Sequence, residues 1–137
     1  MVPEGFQLEQ LLAANRTFYR AFGERDWPAM EDLWARRAPL ACIHPGWAPL
    51  IDRDSVLDSW RRILANPLSL NIRCHGEQGM VFGTSGLVVC RELVDGQMLV
   101  ASNLFVVEDG IWRMVHHQSG PLARQTPDDS APSRLLS

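Results

Sequence analysis

The chain contains no lysine: all 13 of its basic residues are arginine. Without an internal amine it can offer neither a Schiff-base nucleophile nor an anchor for a pyridoxal cofactor. Cysteine is scarce and scattered, at Cys42, Cys74 and Cys90. An odd set with no CxxC spacing excludes a disulfide framework and a zinc knuckle, and reads as core thiols rather than a catalytic thiol. No stretch approaches the roughly 20 apolar residues of a membrane span. Met1–Gln10 has no basic region and no apolar run, so no signal peptide is expected and a cytoplasmic location is the default. The net charge is −3 and there is no basic patch, which argues against a nucleic-acid partner. Nucleophile elbow, phosphate loop and dinucleotide fingerprint are all missing, so hydride and phosphoryl transfer are not expected and no cofactor is implied.

What is present suits one globular domain. The 137 residues are 46% hydrophobic and 21% charged, an ordinary balance for a single core. Gln7–Phe22 has apolar residues at helical spacing (Leu8, Leu11, Leu12, Phe18, Tyr19, Phe22), with Gly23 as the stop. Asp26 and Pro28 open a second helix to about Arg36, and Pro39 breaks it. Leu40–His44 reads as a short strand. His44-Pro45-Gly46-Trp47 is a turn. Asp52 or Asp54 caps a third helix to about Ala65, stopped by Asn66-Pro67. Beyond Leu68 the period changes to two, and strands are expected at about 69–81, 85–94, 98–108 and 111–118. Asp95-Gly96 and Asp109-Gly110 are type I′ hairpin signals. Three helices followed by an antiparallel meander make an α+β fold. Residues 1–122 form the domain, and the polar, Pro-rich residues 123–137 read as a flexible tail.

The two hairpins set a register. Counting back from Asp109-Gly110 pairs Val107 with Trp112, Phe105 with Met114, Asn103 with His116 and Ala101 with Gln118. Counting from Asp95-Gly96 pairs Glu92 with Leu99, Cys90 with Ala101 and Val88 with Asn103. Opposed residues share a sheet face. The long Arg113 should stay wet. The helix-covered face is then expected to hold Cys90, Glu92, Asn103, Phe105, Trp112, Met114, His116 and Gln118, with Arg113, Val115, His117 and Ser119 outside. An unpaired polar group on a covered face costs a few kcal/mol, so Glu92, Asn103, His116 and Gln118 either satisfy one another or line a cavity.

The segments FYRAFGERDWPAMEDLW, CIHPGW, RDSVLDSWRRI and ASNLFVVEDGIWRMVHHQSGP, spanning about residues 7–122, resemble the NTF2-like superfamily, which includes ketosteroid isomerase and SnoaL-type cyclases. The SnoaL-like proteins of small size are the nearest in look. The resemblance implies a cone-shaped fold: a curved antiparallel sheet closed by three N-terminal helices over a central apolar pocket. It also implies a homodimer through the outer sheet face, which would cover Arg113, Val115 and His117. It implies no single activity, because the fold hosts isomerases, cyclases, dehydratases and plain binders. An isomerase of the ketosteroid kind needs a base, a tyrosine and a protonated acid. Tyr19, the single tyrosine, is on the first helix, and His44 lies near the family's base position. Asn103, His116 and Gln118 occupy the strand region where cyclases carry an acid. This chain departs from its relatives in having Gln118 where many have a third histidine, and Asp52 where a glycine precedes the third helix.

The candidate catalytic residues are His44 and His116, as general acid–base groups; the competing reading is two satisfied core histidines. His116 and His117 are adjacent on a strand and point apart, so they cannot chelate together, and no metal is expected. Trp34, Trp47, Trp60 and Trp112 are core or pocket wall, with Trp47 the best placed because it sits on a turn. Tyr19 is either core or a pocket donor. Glu92 is either a pocket base or a solvated rim group beside Arg91 or Arg73. The expected function is a dimeric pocket protein for a small apolar or aromatic molecule, with the residues above, Cys90 and Phe105 as its lining. Two alternatives are a cofactor-free isomerase, lyase or cyclase, and a ligand-free dimerisation module.

Overall fold

The computed structural model describes residues 4–66, 68 and 71–123. The expected tail therefore lies almost wholly outside the described residues. Helix α1 spans Glu4–Glu24, α2 Trp27–Leu33 and α3 Arg53–Ala65. The strands are β1 Ala41–Ile43, β2 Ile72–Phe82, β3 Ser85–Val94, β4 Gln97–Glu108 and β5 Ile111–Pro121. One sheet of order β1-β5-β4-β3-β2 results, antiparallel except for β1, which runs parallel to β5. The fold class is α+β, as the period change implied. Among the described residues no helix is long and apolar enough to cross a membrane.

Local chemistry accounts for most boundaries. Helix α1 runs through Gly23 and stops at Arg25 instead, which takes the left-handed conformation (φ 58°). Arg25 N–H bonds Phe22 O and Asp26 N–H bonds Ala21 O, the paired bonds of a Schellman cap. The strain of a non-glycine residue there is offset by Arg25 Nε donating to Leu64 O at 2.9 Å. Asp26 caps α2 through Ala29 N–H, and Asp52, not Asp54, caps α3 through Ser55 N–H. Helix α2 ends at Leu33, three residues before the expected Arg36. From Trp34 the chain is already extended along β5, with Ala35 N–H on Met114 O. Glu108 then gathers the backbone N–H groups of Arg36, Arg37 and Ala38 at 2.8–3.0 Å.

Both Asp-Gly turns form as expected, all four residues at positive φ. The β3–β4 register is the expected one throughout. The β4–β5 register is not. Phe105 pairs with Met114, but Leu104 then pairs with His116 and Asn103 with His117. Val115 is the extra residue of a β-bulge, and everything beyond it on β5 changes face. His117 and Ser119 therefore join Asn103 and Ala101 inside, while His116 and Gln118 turn to the outer face. This corrects the expected placement of all four. The hydrophobic pattern could not have decided it: with or without the bulge the inner face reads Trp, Met, His and then one polar residue. Arg113 also departs from expectation. It is outward in register, yet only 13% of its side chain is exposed, because it reaches α2 and pairs with Asp32.

A second bulge lies in β2 between His75 and Gln78, at Gly76 (φ 63°). It brings Glu77 to Asn15 and Arg16 of α1. Helix α1 lies directly on the sheet because Gly86 leaves room. A Cβ there would sit 2.8 Å from the methyl carbons of Leu11.

Candidate functional site

A cavity of about 280 Å³ opens between α1, α3, the turn after β1 and the inner face of the sheet. Trp60 and Ile63 wall it from α3, Phe22 from α1, and Ile72, Val94 and Leu99 from the strands. Pro45 and Trp47 of the HPGW turn stand at one side, with Trp47 half exposed. Four polar side chains break the apolar wall: His44, Glu92, His117 and Ser119. Such a volume is at the small end of ligand-site sizes and suits a compact ring system.

His117 is held by its neighbours on every side. Its ring is 4.8 Å from that of Phe18 and 5.8 Å from that of Trp60. Its Nδ1 lies 2.6 Å from Asn103 Oδ1. A carbonyl oxygen can only accept, so Nδ1 carries the proton and Nε2 presents its lone pair. That Nε2 is 3.9 Å from Glu92 Oε2. Both side chains are 2% exposed.

Glu92 is not the solvated rim group that one reading allowed. It accepts the Tyr19 hydroxyl proton at 2.6 Å, and among the described residues no arginine pairs with it. Burial raises its pKa above the carboxylate range, against the lowering effect of Tyr19 and Ser119. Burial lowers His117 to about 3, helped by His44 and His116. The two groups are therefore driven toward carboxylic acid and neutral imidazole, an acid and a base facing one cavity.

His44 directly follows β1 and opens the turn closed by Trp47 N–H on His44 O. Its ring packs against Trp47 and Trp60 at 4.8 and 4.9 Å. Ser59 Oγ gives its proton to Val56 O at 2.7 Å, so it must accept from His44 Nε2 at 2.9 Å. His44 Nδ1 is left as an acceptor. Burial alone lowers its pKa to about 4.

Of the residues singled out from sequence, His44, Trp47, Trp60 and Glu92 reach the cavity. Tyr19 and Asn103 stand one layer behind, tied to it by hydrogen bonds. Trp34, Cys90, Phe105 and Trp112 are core. His116 donates from Nδ1 to Ala41 O on the outer side, and Gln118 is exposed. Cys42 is also core, its thiol pushed up to about 12 by burial against a contact with the Trp60 indole. Sequence reading passed over His117, Ser119, Ser59, Asn15 and Glu77. Two of these had a signal. Asn15 interrupts the apolar stripe of α1 between Leu11 and Phe18, and Gly76 inside a strand marks the bulge that delivers Glu77.

The buried imidazoles make stability pH-dependent. In the unfolded chain each takes up a proton near pH 6.5; folded, they do so only near 4 and 3. Their contribution is complete above pH 6.5 and is lost as pH falls toward those values. Glu92 acts oppositely, since its contribution is lost as pH rises through its raised folded value. Each histidine contributes a slope of at most about 1.4 kcal/mol per pH unit. A melting temperature that falls from pH 7 to pH 5 is expected in Glu92→Gln, where the opposing carboxyl is absent; a flat profile there would mean solvated imidazoles.

Comparison with known proteins gives a consistent set. The SnoaL-like domain model matches residues 11–123. A Streptomyces avermitilis structure, for which dehydratase activity within the NTF2-like family has been suggested, superposes with a TM-score of 0.82 at 27% identity, covering 89% of this chain and all of that one. A calcium/calmodulin-dependent protein kinase type II association domain, so designated, from Thiobacillus denitrificans gives 0.71 at 29% identity, covering 80% and 93%. An NTF2-like protein of unknown function from Pseudomonas putida gives 0.78 at 11% identity, covering 90% and 99%, a likeness of fold alone. Among curated sequences, the F-box protein SKIP8 of Arabidopsis thaliana is 24% identical over 111 residues, 80% of this chain and 48% of that protein. The chain thus spans about half the length of that relative.

Proposed function

The chain belongs to the SnoaL-like domain family, and from that premise we propose that it is a cofactor-independent lyase acting on a compact, hydroxylated ring compound. The carrying observation is the His117–Glu92 pair, 3.9 Å apart at the wall of an otherwise apolar cavity. His117 Nε2, a lone pair in dry surroundings, takes a proton from a carbon made acidic by a neighbouring carbonyl. Glu92 returns a proton to the departing hydroxyl, which leaves as water, and the C–H bonding pair becomes the new C=C bond. Tyr19 holds Glu92 in place. His44, across the cavity, orients the ligand by accepting a hydrogen bond. The suggested activity of the Streptomyces relative agrees in class.

The test is a chemical probe of that class. 3-Hydroxy-1-tetralone loses water to give 1-naphthol, whose fluorescence reports the product. Formation above the buffer rate, saturable in substrate, supports the reading; a rate equal to buffer for this and related cyclic β-hydroxyketones contradicts it.

A second reading, of assembly, has its own observation. The outer sheet face carries Met80, Leu87 and Leu104 in one cross-strand row, and Phe82 and Val106 on either side of Ser85 in the next. Met80 and Phe82 are about half exposed. An apolar patch of this kind is a poor solvent surface and a good isologous one. We expect a homodimer of about twice 15.4 kDa by light scattering, converted to monomer by Leu104→Arg. A wild-type monomer at micromolar concentration would contradict it. The name of the Thiobacillus relative is in keeping with assembly through this fold.

A further inference from the structure

The lyase reading needs His117 to meet the cavity as a base, so Nε2 must be the unprotonated nitrogen. A neutral imidazole in an apolar wall has no intrinsic reason to choose that tautomer. The structure supplies one, and it begins 62 residues away in sequence from the amide that receives it.

Glu77 Oε1 is engaged by Arg16 at 3.2 Å, and Oε2 accepts from Asn15 Nδ2 at 2.6 Å. With its nitrogen committed, Asn15 turns Oδ1 the other way, where it accepts from Asn103 Nδ2 at 2.8 Å. Asn103 Nδ2 spends its second proton on the Tyr19 hydroxyl at 3.1 Å. Asn103 Oδ1 then faces His117 Nδ1 at 2.6 Å. Every bond in this chain points the same way, and its direction is set at the end where a carboxylate can only accept. Asn15 and Asn103 are both fully buried, so no water competes for their amides.

Reversal is penalised at two places. A flipped Asn15 would put its carbonyl against the Glu77 carboxylate, acceptor facing acceptor. A flipped Asn103 would put its carbonyl against Tyr19, whose proton is already held by Glu92 at 2.6 Å. In the reversed state His117 would show the cavity an N–H, an acid where the reaction needs a base.

We propose that Glu77, acting through the side-chain amides of Asn15 and Asn103, fixes the tautomer of His117 and so makes its Nε2 the proton acceptor of the cavity. Glu77, Asn15 and Asn103 are positioning residues. This role rests on the lyase reading for its purpose but not for its physics. It carries a consequence for ligand class: with His117 Nε2 and His44 Nδ1 both lone pairs, the cavity favours a ligand that donates hydrogen bonds. A phenol or alcohol should bind better than the methyl ether of the same ring.

The tautomer is read directly by ¹⁵N resonances of histidine-labelled protein at pH 7, with no substrate present. In wild type, His117 Nδ1 is expected as a protonated, pyrrole-type nitrogen and Nε2 as an unprotonated, pyridine-type one. Glu77→Leu removes the terminal acceptor and should mix or invert the pattern. Glu77→Gln keeps an accepting oxygen and should retain it. Adding Asn15→Asp to Glu77→Leu places an accept-only group one step further along and should restore it. The reverse assignment in wild type overturns the proposal without any variant, even if Glu77→Leu does not fold. So does an unchanged pattern in a folded Glu77→Leu. If the tautomer behaves as stated but 3-hydroxy-1-tetralone is not turned over, the lyase reading alone fails. Equal affinity for 1-naphthol and 1-methoxynaphthalene removes the ligand-class consequence and leaves the tautomer standing.

Discussion

His117→Ala should lower the turnover of 3-hydroxy-1-tetralone by roughly 10²–10⁴-fold, the range for loss of a positioned general base, while the cavity still binds 1-naphthol. The expectation follows from geometry rather than from histidine content. Of the four histidines, His117 alone has a fixed lone pair beside a buried carboxyl. His116→Ala serves as the matched control. It alters the neighbouring residue on the same strand, but that ring lies on the outer side and bonds Ala41 O. Its rate should stay within about threefold of wild type, a difference of well under 1 kcal/mol. Equal losses in the two variants would mean that the bulge at Val115 does not sort them to opposite faces.

The largest stability effect is expected at Asn103. Its amide makes three hydrogen bonds in a fully buried position, to Asn15, Tyr19 and His117. Leucine is of similar size but leaves Asn15 Oδ1 and His117 Nδ1–H buried and unpaired. At about 1–3 kcal/mol for each stranded group, Asn103→Leu should cost roughly 3 kcal/mol. For a domain of this length that is a fall of about 10 °C in melting temperature. Ser102→Ala, one residue away on the outer face, should change stability by no more than about 0.5 kcal/mol. A melting temperature for Asn103→Leu within 2 °C of wild type, as an order-of-magnitude bound, would mean that the buried network contributes nothing net.

Helices, strands and hairpins were legible because each rests on local chemistry: Asp26 and Asp52 as caps, the Asp-Gly turns, the apolar stripe of α1. The inward placement of Glu92 and Asn103 followed from the same turns, since nothing irregular separates them from Asp95-Gly96. Legibility ended at Val115. A bulge inserts one residue without altering composition, and the Val-His-His-Gln run offers either face the same polarity. His116 and His117 were therefore exchangeable on paper and are opposite in space. Glu77 was invisible for a related reason. Its importance comes from long-range contact with Asn15 across the second bulge, a contact that no window along the chain contains. Arg113 misled because a long cation was expected to seek water, whereas Asp32 offered it a carboxylate and a carbonyl.

The lyase reading requires a ligand-accessible hollow with His117, His44 and Trp60 at its wall. Titration of the labelled protein with 1-naphthol, followed in ¹H–¹⁵N spectra, tests that requirement most directly. Saturable shifts at those three side chains are predicted, together with their disappearance in Leu99→Trp, where an indole fills the space that Leu99 borders. Shifts confined to the outer strand face, or binding undiminished by the filled cavity, would contradict the account.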